Sequence, residues 1–163
     1  MSRVDHELSP IYDEESKALI LGTIPSPKSR EDGFYYAHPR NRFWMVLSDL
    51  YNIPLNTIEE KKNFLYKNHI ALWDVLASCT IEGASDSSIH DMRFNKIEDL
   101  LLKTQIDTIF CTGKKAYTLY QKNIYPKTKI EAICLPSTSP ANCAVKYDVL
   151  RKEYAQIKKH CFF

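Results

Sequence analysis

Short apolar runs alternate with longer segments of mixed polarity along this chain. Residues 18–22, 70–76, 106–112 and 130–135 are rich in Ile, Leu, Val or Phe and give way to glycine, proline or small polar residues. That is the pattern of strands buried on both faces. Segments of helical length stand between and after them, at 41–51, 57–66, 95–104, 113–121 and 145–159. Strand alternating with helix predicts a parallel sheet covered on both faces, with any ligand beyond the carboxyl ends of the strands. The loops after Leu21, Leu72, Cys111 and Leu135 then share one rim. Residues 1–16 carry several charges and few apolar positions, so part of this stretch is expected to be loose or to lie over the sheet edge. Residues 83–94 are polar and broken, which predicts a surface loop.

A length of 163 residues suits one domain spanning 1–163. Apolar residues at 44% and charged residues at 26% are ordinary for a globular protein. No apolar run approaches the length that crosses a bilayer, and residues 1–10 are polar rather than signal-like, so a cytoplasmic protein with no membrane partner is expected. Cys79, Cys111, Cys134, Cys143 and Cys161 form no C-x-x-C pair and the five histidines are scattered. Free thiols, no metal and no cofactor are the expectation. A net charge of +2 neither requires nor excludes a nucleic acid.

Two stretches carry the candidate chemistry. The first, LILGTIPSPKS at residues 19–29, has the spacing of G-x-x-x-x-G-K-[ST] from Gly22 to Ser29, but Pro27 stands at the second glycine. A phosphate-cradling loop points successive backbone N–H groups at the anion, and Pro25 and Pro27 have none. That argues against a nucleotide triphosphatase. In the second, GFYYAHPRNRFWMVL at residues 33–47, adjacent aromatics lead through a His-Pro turn to Asn41, a natural helix cap. Packing alone accounts for much of it: Phe43, Trp44 and Leu47 face the sheet while Tyr35 and Tyr36 cover the loop. Asp74 and Asp86 also fall in loops near the predicted rim; Asp74, just after a strand, suits a turn cap or a water activator.

Five stretches in order, LILGTIPSPKS at 19–29, FYYAHPRNRFW at 34–44, ALWDVLASC at 71–79, GASDSSI at 83–89 and LPSTSPANCA at 135–144, resemble the uracil-DNA glycosylase superfamily. The likeness is closest to its deoxyinosine (hypoxanthine) branch, near the mismatch-specific uracil branch. The resemblance implies a three-layer α/β/α sandwich with a central four-stranded parallel sheet. It also implies a monofunctional glycosylase of base-excision repair that extrudes a deaminated base from double-stranded DNA and hydrolyses its N-glycosidic bond. Gly22, Thr23, Ile24, Pro25 and Ser26 would wall the base pocket, Tyr36 would stack on the base, and His38 would hold the loop beside it. In the mismatch-specific branch an asparagine holds the attacking water where this chain has Ile24; the hypoxanthine branch uses the asparagine of HPRN, here Asn41, as the catalytic group. Ser137, Thr138, Ser139, Pro140, Ala141 and Asn142 match the loop that enters the minor groove, with the small Ala141 at the wedge position. Hypoxanthine is the expected substrate and a monomer the expected state. A G·U-specific uracil glycosylase, and a non-catalytic DNA-binding module of the same fold, are the alternatives.

Overall fold

A computed structural model of the chain describes residues 2–6, 8–83 and 85–160. In chain order the elements are β1 (Ser2–Asp5), β2 (Ala18–Gly22), α1 (Pro27–Asp32), α2 (Phe43–Tyr51), α3 (Ile58–Lys67), β3 (Ile70–Asp74), β4 (Leu76–Ile81), β5 (His90–Phe94), α4 (Ile97–Leu102), β6 (Thr108–Thr112), α5 (Lys114–Asn123), α6 (Tyr125–Thr128), β7 (Ala132–Leu135) and α7 (Tyr147–His160). Four strands form a parallel sheet in the order β3-β2-β6-β7. Side chains of a strand alternate between faces, and β2 is buried at every position. Its Ala18 and Ile20 join one core with Phe43, Val46 and Leu47 of α2, Phe64 and Leu65 of α3, and Leu150, Tyr154 and Ile157 of α7. Its Leu19 and Leu21 join a second core with Ile97 and Leu100 of α4 and Ala116, Leu119 and Tyr120 of α5. Each fully buried aliphatic or aromatic side chain contributes about 1.5–3 kcal/mol, so this doubly covered sheet is the stable platform. Strand order reverses between β2 and β6, which opens a crevice at their carboxyl ends.

A second sheet, absent from the sequence reading, is antiparallel with order β1-β4-β5. The apolar run at 70–76 divides at Val75: β3 ends at Asp74, and Val75 and Leu76 donate to the Gly22 and Thr23 carbonyls at 2.8 and 3.0 Å before the chain continues as β4. The stretch at 83–94 is not wholly loop, for it holds a 3₁₀ turn at Asp86–Ser88 and the edge strand β5. Because β5 is exposed at four of its five positions and pairs irregularly with β4, it lacks the alternation that marks a half-buried strand. The N-terminal stretch is anchored rather than loose. Val4 is buried in the second core, β1 pairs with β4 from Ser2↔Ile81 to Asp5↔Ser78, and Ile11 bridges Leu72 at the edge of the parallel sheet. Cys79, Cys111, Cys134 and Cys143 are free thiols, while Cys161 lies outside the described residues.

Candidate active site

The four parallel strands end at Gly22, Asp74, Thr112 and Leu135, and all four residues line one cleft of about 1320 Å³. That exceeds the roughly 300–1,000 Å³ of a common small-molecule pocket. Glycine at position 22 is dictated by close approach. A Cβ there would run into Asp74 Oδ1 and stand 3.3 Å from Tyr36 Oη and 3.6 Å from Thr112 Oγ1. The absent side chain therefore lets a carboxylate oxygen pack against the strand backbone, with two hydroxyls close by, at the cleft floor. Tyr36 Oη and Thr112 Oγ1 lie 3.2 Å apart and share one hydrogen bond.

Asp74 is 3% exposed, and its Oδ2 meets His6 Nε2 at 2.7 Å. An ionised carboxylate only accepts, so in that form His6 Nε2 is the donor, while Oδ1 lies against the Gly22 backbone. Behind it, Asn95 Nδ2 donates to the Asp74 and Leu76 carbonyls at 2.9 and 3.1 Å and holds the backbone where β3 turns into β4. His6 arrives on the N-terminal segment after β1, with its side chain 1% exposed. Nothing in the local sequence marks it, and it is the residue of this floor that sequence reasoning missed most completely.

Tyr36 adopts φ 54°, in the left-handed region, and its ring stacks on Phe43 with centroids 3.8 Å apart at 14°. Burial, and then the negative charge of Asp74, raise its phenol well above the ordinary value, so the hydroxyl stays neutral and able to donate. Tyr35 is shifted the same way for the same two reasons; its Oη donates to Ser9 O at 2.9 Å, and its carbonyl accepts from Trp44 Nε1 at 2.9 Å.

Asn41 stands on the cleft wall just ahead of α2, whose cap position is Arg42. The Phe43 backbone N–H lies 2.9 Å from its side chain. A backbone N–H is always a donor, so the amide atom facing it is Oδ1, and the two Nδ2 hydrogens are directed elsewhere. The turn before it is closed locally: Asn41 N donates to His38 O at 2.9 Å, and Arg40 N to His38 Nδ1 at 3.0 Å. Across the first loop, Ser26 caps α1 by accepting from Ser29 N, and the buried Ser29 Oγ accepts from Ala37 N at 3.1 Å, tying residues 26–37 into one piece.

The opposite wall is the 137–142 loop. Ser137 Oγ accepts from Ser139 N, Ser139 Oγ accepts from Ala141 N, and Asn142 Nδ2 donates to Ser137 O at 2.9 Å. Thr138 is 1% exposed and faces Tyr154, whose Oη donates to Pro136 O at 2.6 Å. The outward surface of this loop thus comes from Ser137, Ser139, Pro140, Ala141 and Asn142, with Ala141 exposed. Arg42 joins the two walls: its guanidinium donates to Val145 O at 2.8 Å and Asn142 O at 3.2 Å, and its backbone N to Thr138 O at 3.1 Å. Asp86 reaches the mouth of the cleft; its residue is exposed overall, yet partial desolvation raises the carboxyl above its usual value against the pull of Lys115. Among the described residues, no group of three His, Cys, Asp or Glu is placed to hold a metal ion.

Comparison with known proteins gives this cleft a lineage. The family model for the uracil DNA glycosylase superfamily matches residues 9–158. The chain belongs to the uracil-DNA glycosylase superfamily. A Methanosarcina acetivorans protein named hypoxanthine DNA glycosylase is 34% identical over 137 residues, covering 81% of this chain and 84% of that one. A Methanosarcina barkeri protein of the same name is 33% identical over 110 residues, covering 66% and 70%. Among solved structures, a solution structure of a M. acetivorans protein provisionally named a uracil DNA glycosylase superposes with a TM-score of 0.82 at 29% identity, over 95% of this chain and 97% of that one.

In superfamily terms, the chain brings its first-loop residues Gly22, Thr23, Ile24, Pro25 and Ser26, the HPRN residues His38 and Asn41, Tyr36, and all of Ser137–Asn142 to one cleft. The fold expected from the resemblance is the one observed, with its four-stranded parallel sheet between helices. Thr112 lines the cleft, and His6 and Arg42 support it from behind, without having been foreseen.

Proposed function

We propose that this protein is a monofunctional DNA glycosylase that removes deaminated bases, hypoxanthine foremost, from double-stranded DNA and leaves an abasic site. The single observation that carries the reading is the Asn41 amide, oriented by the Phe43 N–H on the wall of a cleft whose first loop contributes the apolar Ile24. The hypoxanthine name borne by the two Methanosarcina relatives supports the same substrate.

A base inside the duplex hides its glycosidic carbon, so the nucleotide must swing out. Tyr36, backed by Phe43, offers a flat surface for the extruded base, and such stacking is worth about 1–3 kcal/mol per base. In the reaction the C1′–N9 bond breaks, its electron pair leaves with the base, and water adds to C1′ while a proton passes to solvent or to the departing base. An amide is no general base; with Oδ1 occupied by the Phe43 N–H, Asn41 acts through its Nδ2–H donors on the charge that builds on the leaving group. On the opposite wall of the cleft, Ser137, Ser139 and the neighbouring backbone amides are suited to phosphate oxygens. A monomer suffices for this chemistry, since every group invoked comes from one chain.

The test is release of base from duplexes carrying hypoxanthine, uracil or xanthine, read as alkali-labile strand breaks, for the wild type and Asn41→Ala. Breaks at hypoxanthine that depend on Asn41 are expected. DNA binding without breaks on any substrate would favour a non-catalytic module, and breaks confined to G·U would favour a uracil enzyme.

A further inference from the structure

Among the described residues, one arginine on the cleft wall has no anion of its own. Arg30, on α1, is half-buried and lines the cleft, and its Nε is shielded from solvent without bonding to anything. The acids beside it are already engaged, for Lys28 reaches both Glu31 and Asp32, at 3.9 and 3.2 Å. Asp86 lines the same cleft but lies in the field of Lys115, and no ion pair joins it to Arg30. A guanidinium has five donors and no acceptor, and a shielded donor left unbonded works against stability. Such a group calls for an acceptor from outside the chain. Its planar fork matches the oxygens of a phosphate two at a time.

The surroundings suit the same ligand. Burial raises the Cys79 thiol of β4, and the charges of Arg3 and Arg30 draw it back, so the guanidinium lies towards the antiparallel sheet. Ile81 ends β4 at the cleft, and beyond it the exposed Ser85 and Ser87 hydroxyls stand 3.1 Å apart. Arginine and serine are common partners of DNA phosphates. The 137–142 loop follows β7, at the far edge of the parallel sheet, whereas β4 continues from β3 at the other edge. Arg30 is therefore separate from the phosphate-binding surface described above.

We infer that Arg30 is a phosphate ligand of the bound DNA, its guanidinium taking two oxygens of one backbone phosphodiester on the β4 side of the cleft. This rests on the glycosylase reading for the identity of the ligand. The side chain turns about its own torsions so that the fork meets the phosphate, which supplies the acceptors the chain lacks. The contact also bears on the rest of the site, because α1 is a strut. Ser26 Oγ accepts from Ser29 N at its start, and Ser29 Oγ accepts from Ala37 N at 3.1 Å, so a phosphate seated on Arg30 steadies the first loop and the turn that carries Asn41 together.

The test measures binding to a duplex with one tetrahydrofuran residue, an abasic analogue that has no base to release, so turnover does not enter. Arg30→Gln is expected to bind at least about tenfold more weakly, with a log–log salt slope shallower by about one. It should melt within about 2 °C of wild type, because the guanidinium holds no bond of the fold. Methylphosphonates, which remove the charge of one phosphate at a time, locate the contact: one linkage near the analogue should weaken the wild type by at least about tenfold and leave Arg30→Gln unaffected. Arg30→Lys keeps the charge without the fork, so it should retain the slope and lose most of the effect at that linkage; it decides the matter if the glutamine variant does not fold. A wild-type slope in Arg30→Gln, or methylphosphonate losses equal in wild type and variant at every linkage, overturns the inference and leaves Arg30 a packing group. Base release from a hypoxanthine duplex separates the two readings. Coupled binding without release sinks the glycosylase and keeps the phosphate site, release without the coupling does the reverse, and a wild type that binds no duplex sinks both.

Discussion

Asn41 does two jobs that a single pair of substitutions can separate. Its Oδ1 holds the N–H of Phe43, a residue with no exposed surface, and its Nδ2 group is the proposed catalytic donor. Replacing it by alanine removes both. Loss of a capping side chain costs about 0.5–2 kcal/mol, typically about 1, which for a chain of this length lowers Tm by about 2–4 °C. Removal of one donor aimed at developing charge costs about 10²–10³ in kcat. Asn41→Asp keeps an acceptor for Phe43 N–H and converts the donor into a second acceptor, so its stability is expected to stay within about 0.5 kcal/mol of wild type while activity falls about as far as in the alanine variant. Thr57→Ala supplies the matched control, because it opens the capping box of α3, in which Glu60 N donates to Thr57 Oγ1 and Thr57 N to Glu60 Oε1. It is expected to lose about 1 kcal/mol of stability with kcat unchanged. Single-turnover base release at hypoxanthine, with thermal melts on the same preparations, measures all three. An aspartate variant within threefold of wild-type activity would refute the donor assignment, and an alanine variant no slower than Thr57→Ala would reduce Asn41 to a cap.

Gly22→Ala drives a methyl group into Asp74 Oδ1 and crowds Tyr36 Oη; base release should drop at least about tenfold, and full activity in this variant would show that the floor is not used. Arg42→Ala frees the 142–145 carbonyls and loosens the outer loop, weakening duplex binding without changing its salt dependence, because the guanidinium is spent on carbonyls rather than phosphates; a log–log salt slope shallower by about one would instead make it a phosphate ligand. Burial holds the Tyr35, Tyr36 and Tyr154 phenols well above their usual range and pushes Tyr120 up to about 12. The unfolded chain then loses these protons first, so stability contributed by the neutral phenols is whole below about pH 10 and is lost as pH rises towards 12. Denaturant midpoints across pH 8–11, followed beside tyrosinate absorbance, should decline above 10, and a flat profile would contradict the burial.

The parallel sheet was legible because each of its strands is a continuous apolar run punctuated by a breaker, and that signal needs no tertiary context. β1 and β5 carry no such signal. Most of their residues face solvent, and each becomes a strand only through pairing with β4, a long-range contact that local pattern does not encode. The walls of the cleft were similarly readable where loop chemistry is dense, as around Gly22, Tyr36, Asn41 and Ser137–Asn142. Its floor was not. Asp74 reads from sequence as a turn cap or a water activator, but its bond to His6, sixty-eight positions earlier, has no local signal, and nothing in the sequence around Arg42 marks the guanidinium that ties both walls together.

The histidine beneath the cleft is delivered by the first strand and not by the layers that form the cleft itself. The setting of the buried Asp74 carboxylate is thereby tethered to how that strand is seated on β4. A fusion partner or cleavage scar just ahead of Ser2 that tugged β1 away would leave the four-stranded platform standing while unlatching the carboxylate at the cleft floor. Such a preparation would melt as a folded protein and still grip DNA, yet release base poorly.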